Sequence, residues 1–220
     1  MFVFLLPYSK RQSRLKLKDC GNNRFVLAGL EPLALAVERS FLKGGDELLP
    51  VWKRFKSPFW ESLEFWVLPP PVAQFIDEHS LVPSPVYGIL KPSSCIPYLP
   101  ISWQEGYEGK SLYTFWKEHL RPLSSRLFED KTVFLFAGKK ELSLFDLRKA
   151  KRLVKFTYYR KDQKVKNPSK HWAYTLRYIG EKRLELDSLH KINFYDYKVE
   201  RIEEKGILLE VVMRGEGGYI

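Results

Sequence analysis

Cysteine is scarce in this sequence: Cys20 and Cys95 are the only two, they lie in different segments, and no C-x-x-C pair or Cys/His cluster at metal-ligand spacing occurs. Neither a disulfide framework nor a zinc site is suggested by that pattern, and a reducing, cytoplasmic setting fits it best. Long apolar runs are missing too. The opening run from Met1 to Leu6 is too short for a signal core or a membrane span, and its basic residues follow it instead of preceding it. It reads as a buried first strand. There are no internal repeats and no low-complexity segments.

Nucleotide fingerprints are absent as well. No G-x-G-x-x-G follows a strand, no P-loop is present, and GEGG (215–218) has no helix behind it. Cys20 has no histidine fixed beside it, so a nucleophile and base are not indicated. His79 and His119 fall near apolar positions of helices and read as packing residues, while His190 precedes a strand and reads as solvent-facing. The residues therefore indicate no catalytic group, no metal and no cofactor.

What the chain has in quantity is aromatic and basic side chains. Fifteen Phe, twelve Tyr and a hydrophobic fraction of 45% mark a globular chain of 220 residues that can bury a large core. The net charge is +11, and it is concentrated: from Phe145 to Tyr178 eleven Lys and Arg face two acids, a net of +9. A polyanionic partner is the natural reading of such an imbalance.

Periodicity sets the expected elements. Helical spacing runs over Glu31 to Phe41, ending at Gly44-Gly45, then over Glu47 to Phe55, within SPFWESLEFWVL, and after the prolines at 69 to 71. VYGILK (86–91), TVFLFAG (132–138) and LVKFTYY (153–159) read as strands. Lys110 onward carries an apolar helical stripe through Phe115, Trp116 and Leu120, and Leu142 to Lys151 a short helix. Residues 192–212 alternate around a Glu-Lys-Gly turn, a closing hairpin. The expectation is α+β: one domain over 1–220, helix-rich over about 25–80, with a central mixed sheet and flanking helices over 86–213.

The stretch TYYRKDQKVKNPSKHWAYTLRY (157–178) splits into strand, loop and helix. Asn167 suits an N-cap and Pro168 the first helical position, with Trp172, Thr175, Leu176 and Ile179 as the apolar stripe. Lys161, Lys164, Lys166 and Lys170 then gather near free helix N–H groups, a geometry that receives an anion. A charge run is ordinarily a solvated face, but this one interleaves with Tyr158, Tyr159, Trp172 and Tyr174, rings of the type that stack on unpaired bases. A helix-hairpin-helix reading of FLKGGDELL (41–49) is weaker, since Gly-Gly at a helix end is usually a C-cap.

Two further segments resemble a known family. VYGILKPSSCIPYLPISW (86–103), followed by EGKSLYTFWKEHL (108–120), is similar to paired blocks of the YaaA peroxide-stress-response proteins. LLPYSK (5–10) is similar to that family's opening, Lys164-Val165-Lys166-Asn167 stands where it shows Lys-x-Arg-Gly, His171-Trp172 matches an Arg followed by an aromatic, and INFYDYKVE (192–200) matches a late strand. Its Arg-Tyr-x-Gly stretch has no counterpart here. The resemblance implies a cytoplasmic protein of the peroxide response that limits damage from free iron and binds DNA, with no known catalysis.

Both lines lead to DNA, or a structured RNA, as the partner, with no membrane. Lys10, Arg11, Lys91, Arg160, Lys161, Lys164, Lys166 and Lys170 are the candidates to neutralise phosphate, and His171, Trp172 or Tyr159 to stack on exposed bases. The basic segments 10–18 and 148–170 are expected on one continuous face. The alternative is an enzyme on a phosphorylated or nucleic-acid substrate, with Ser9, Lys10, Tyr87 and Lys91 gathered at strand ends.

Overall fold

A computed structural model describes residues 1–15, 20, 27, 29–42 and 48–218. The first strand, β1 (Phe2–Leu5), lies inside the main sheet, and its continuous apolar run suits a strand covered on both faces. It pairs in parallel with β3 (Ser80–Ser84) on one side and β8 (Thr132–Leu135) on the other. Beyond β8 the parallel order continues through β9 (Arg152–Arg160) and β13 (Leu208–Gly215). Antiparallel strands close both sides. β4 (Gly88–Leu90) pairs with β3, and β12 (Tyr197–Lys205) with β13, followed by β11 (Asn193–Phe194) on β12. The order is β11-β12-β13-β9-β8-β1-β3-β4, with β10 (Gln163–Lys164) on the far end of β9.

Two small ribbons lie apart from this sheet: β2 (Leu49–Pro50) with β5 (Cys95–Ile96), and β6 (Gly106–Tyr107) with β7 (Lys110–Ser111). The longer helices are α1 (Glu31–Phe41), α4 (Pro70–His79), α5 (Leu112–Leu120) and α8 (Ser169–Lys182). Shorter ones are α2 (Val51–Arg54), α3 (Pro58–Leu63), α6 (Ser124–Phe128) and α7 (Lys139–Leu142). The fold class is the expected one, a mixed α+β arrangement with a central sheet, flanking helices and a C-terminal hairpin.

One face of the sheet carries a row of rings. Phe4 meets Phe134 at 5.2 Å, Phe136 meets Phe156 at 5.7 Å, and Phe156 is followed two residues on by Tyr158. α4 covers this row through Phe75, 6.0 Å from Phe4, and α8 through Thr175, whose hydroxyl lies 2.7 Å from the Tyr158 hydroxyl. The two helices touch at Gly180, where a Cβ would come 3.0 Å from Ile76.

Several expectations change. SLVPS, to which the sequence patterns assign no element, is the strand β3. The helix expected from Glu47 to Phe55 is only the turn of α2, with 43–47, and so Gly44-Gly45 and the helix-hairpin-helix reading, outside the described residues. The 142–151 helix reduces to α7 and a 3-10 turn at Leu147–Lys149. Most clearly, Cys20 and Cys95 form a disulfide across 75 residues of sequence, with Cα atoms 5.9 Å apart. Sequence distance hid this pair because the intervening chain returns to its start. With it goes the cysteine argument for a reducing compartment.

Because β1, β3, β8, β9 and β13 all run the same way, the sheet has two distinct edges. At the carboxyl edge lie the chain leaving β1, the β9–β10 turn, the start of β12 and the end of β13. At the opposite edge lie Met1, Lys131 and the starts of β9 and β13. β9 has nine residues, so its ends stand roughly 26 Å apart at ~3.3 Å per residue.

Candidate nucleic-acid interface

β8 pairs with β9 only over Arg152–Val154, which leaves the far half of β9 without a neighbour on that side. β10 folds back there, opposing Gln163 to Arg160 and Lys164 to Tyr159 around a two-residue turn at Lys161 and Asp162. Lys161 takes φ 52, and its N–H donates to the Gly215 carbonyl at 2.7 Å, which ties the turn to the end of β13. Lys161, Lys164, Lys166 and Lys170 are all exposed.

α8 begins directly behind this turn. Its N-cap is Pro168, not Asn167, and no side chain caps it. The first intrahelical bond runs from Trp172 N–H to Pro168 C=O, 2.9 Å, so the amides of Ser169, Lys170 and His171 precede the helical ladder. Uncapped amides at the positive end of a fourteen-residue helix, with Lys170 in the first turn, present donors and charge of the sign that attracts an anion.

His171 departs from its expected role. It is 4% exposed, with its ring 4.9 Å from Tyr158 and 4.7 Å from Tyr197, so it packs under the sheet and cannot stack on a base. Neither ring nitrogen has a hydrogen-bond partner. Burial, then the charge of Arg160, pushes the imidazole down to about 4, against an opposing pull from Asp196. It is neutral at pH 7. Trp172 is half-buried with its indole N–H inside, and Tyr159 lies beneath the Arg214 guanidinium, 5.4 Å from the ring centroid. The face that remains offers cations rather than free rings.

The GEGG segment acquires a structural part. Asp196, just before β12, accepts from the Gly217 and Gly218 N–H groups at 2.6 and 3.2 Å through Oδ2. Gly217 has φ +77 and lies flat against the Arg160 side chain, where a Cβ would collide, and a Cβ on Gly215 would stand 2.8 Å from the Tyr197 ring. Asp196 Oδ1 and the Tyr197 hydroxyl are buried without a partner. Sequence reasoning missed Asp196, Tyr197 and both glycines; the only signal was Gly-x-Gly directly after an alternating run.

The remaining candidates divide between the edges. Lys10 and Arg11 are exposed in the loop leaving β1, at the carboxyl edge, whereas Lys16 and Lys18 lie outside the described residues. Lys91 follows β4 and reaches the opposite edge, where a cleft holds it with Met1, Glu78 and Lys131. Its ammonium donates to the Glu78 carbonyl at 2.6 Å, and burial lowers its pKa from the ordinary lysine value. Arg148 and Arg152 are also at that edge, paired with Asp146 and Glu204. The single continuous face expected for 10–18 and 148–170 is therefore corrected: β9 carries the two ends of the second segment apart.

The enzymatic constellation does not assemble. The Ser9 hydroxyl is buried 2.8 Å from the carbonyl oxygens of Arg11 and Lys56, Tyr87 donates to Glu38 Oε1 at 2.9 Å inside the core, and Lys91 is on the other edge. Among the described residues no group of three or more His, Cys, Asp or Glu is placed to hold a metal, and no helix is long and apolar enough to cross a membrane. No protein-family model matches the chain and no curated protein matches it, so the likeness to YaaA proteins rests on the residues quoted above.

Proposed function

We propose that the protein binds nucleic acid, DNA foremost, through phosphate contacts at the carboxyl edge of its sheet. The observation that carries this is the convergence of exposed Lys161, Lys164, Lys166 and Lys170 on the uncapped start of α8. Lysines on a projecting hairpin supply long-range attraction, and helix amides supply short-range hydrogen bonds. Lys10 and Arg11, leaving the same edge, extend the footprint. The family resemblance adds to this reading a cytoplasmic role in the response to peroxide that limits iron-linked damage, in which the Cys20–Cys95 bond would belong to the oxidised form.

The test is a salt titration of binding to a short duplex and to a single strand. Each phosphate contact contributes about one unit to the salt slope of log affinity, so replacing Lys164, Lys166 and Lys170 together with Ala should remove roughly two to three units. Lys91→Ala, at the other edge, should leave slope and affinity unchanged. An unchanged slope in the triple variant, with its thermal melt intact, would return the lysines to ordinary solvated charge.

A further inference from the structure

The start of α8 holds more than phosphate contacts on a surface would need. His171, in its first turn, is 4% exposed and keeps both ring nitrogens unpartnered. Beside it the Tyr197 hydroxyl and Asp196 Oδ1 are also buried without partners. Three such groups at one place are unusual, because a buried polar atom that leaves its hydrogen bond unmade gives up its solvation without return. Resting on the nucleic-acid reading above, we infer that this cluster receives the terminal nucleotide of a strand, with its phosphomonoester at the start of α8.

Depth selects an end. These groups lie behind the surface that a duplex backbone would touch, so a strand end, which carries its phosphate beyond its last sugar, is the part of a strand that comes nearest to them. Charge selects it again. The Ser169, Lys170 and His171 amides, the Lys170 ammonium and the neutral imidazole supply donors for a dianion, which a terminal phosphate is and an internal phosphodiester is not. Asp196 lies close enough to act on the His171 titration, and its Oδ1 is the buried unpartnered oxygen. The same oxygen and the Tyr197 hydroxyl suit a sugar hydroxyl, and Asp196 opens outward into a cleft of about 620 Å³ that Lys198, Glu200, Arg214 and Glu216 also line. Mixed charge of that kind suits a sugar and base better than further phosphates.

The experiment compares oligothymidine single strands phosphorylated at the 5′ end, at the 3′ end, or at neither, by fluorescence anisotropy with the intact protein. The expected result is about tenfold tighter binding of one phosphorylated strand over the unphosphorylated one, the worth of one or two charge-assisted hydrogen bonds. His171→Gln, shown folded by its melt, should lose that preference while keeping the salt slope that the hairpin lysines supply. In the unaltered protein, the His171 ring ¹⁵N resonances should shift with the phosphorylated strand alone, a readout that needs no variant. Equal affinity for all three strands overturns the inference and leaves the nucleic-acid reading standing. Failure to bind any strand or duplex overturns both.

Discussion

At the scale of single residues, the side chains that decide the site are those whose letter and environment disagree. His171 stands four residues before Thr175 and eight before Ile179, so it belongs to the buried stripe of α8. A polar letter in that stripe reads as surface, so from sequence the stripe starts at Trp172 and leaves His171 outside it. Lys91 is the converse case: a basic letter in a loop reads as available, but its ammonium is bound to the Glu78 carbonyl. The imidazole gives the first prediction. Its pKa in the folded protein lies below the unfolded value, so the unfolded chain takes up the proton first and stability falls as pH drops. The window runs from about 6.5 to about 4, and the loss should be on the order of 2 kcal/mol. Urea midpoints at pH 7 and pH 4.5, compared between the protein and His171→Phe, will show it; a variant with the same pH dependence would place the effect elsewhere.

Among elements, the continuous apolar strands were legible because burial on both faces leaves a plain signature, and so was the hairpin that turns at Gly206. β3 was hidden by Pro83. β1 pairs with β3 only at Ser80 and Leu81, so Pro83 lies beyond that ladder, where its missing N–H costs nothing. The packing of β4 on α5 explains a motif that sequence could only quote. Gly88, with φ +70, lets the strand approach the Trp116 ring so closely that a Cβ would stand 2.6 Å from it. The Trp116 indole N–H in turn donates to the Pro85 carbonyl at 2.8 Å, fixing the ring in place. Gly88→Ala therefore meets both a left-handed backbone and a rigid neighbour, and should destabilise the fold by about 2–4 kcal/mol. A chemical-denaturation midpoint close to that of the unaltered protein would refute the account.

For the whole molecule, the disulfide and the buried Arg54 work on the same segment. Arg54 is 1% exposed and donates to the carbonyls of Ser13 and Ile96, and Cys20 joins Cys95 next door, so the chain leaving β1 is fastened at two points to β5. Neither fastening could be read in advance, because each joins residues more than forty apart whose nearness only the folded chain creates. A crosslink closing 75 residues restrains the unfolded chain, and its reduction should lower stability by about 4 kcal/mol. Matched denaturation curves with and without dithiothreitol, and Cys20→Ser as the permanent equivalent, give the measurement. Superimposable curves would mean that the bond carries no such constraint.

β13 follows every other strand of the sheet in the chain, yet it lies between β9 and β12, inside the order. During synthesis β9 therefore emerges with one whole side unclaimed, and β12 with no long strand to rest on. The hairpin turn and the start of α8 can form early, but Lys161 has no Gly215 carbonyl to hold, and Arg160 and Asp196 have no Gly217, until that stretch arrives. A nascent chain stalled before residue 208 would thus display its cations on an unsealed strand edge, the form most exposed to mispairing with other chains. The same insertion that completes the sheet also finishes the binding edge, so an incompletely made molecule would not count as a weakened binder but as an aggregation hazard.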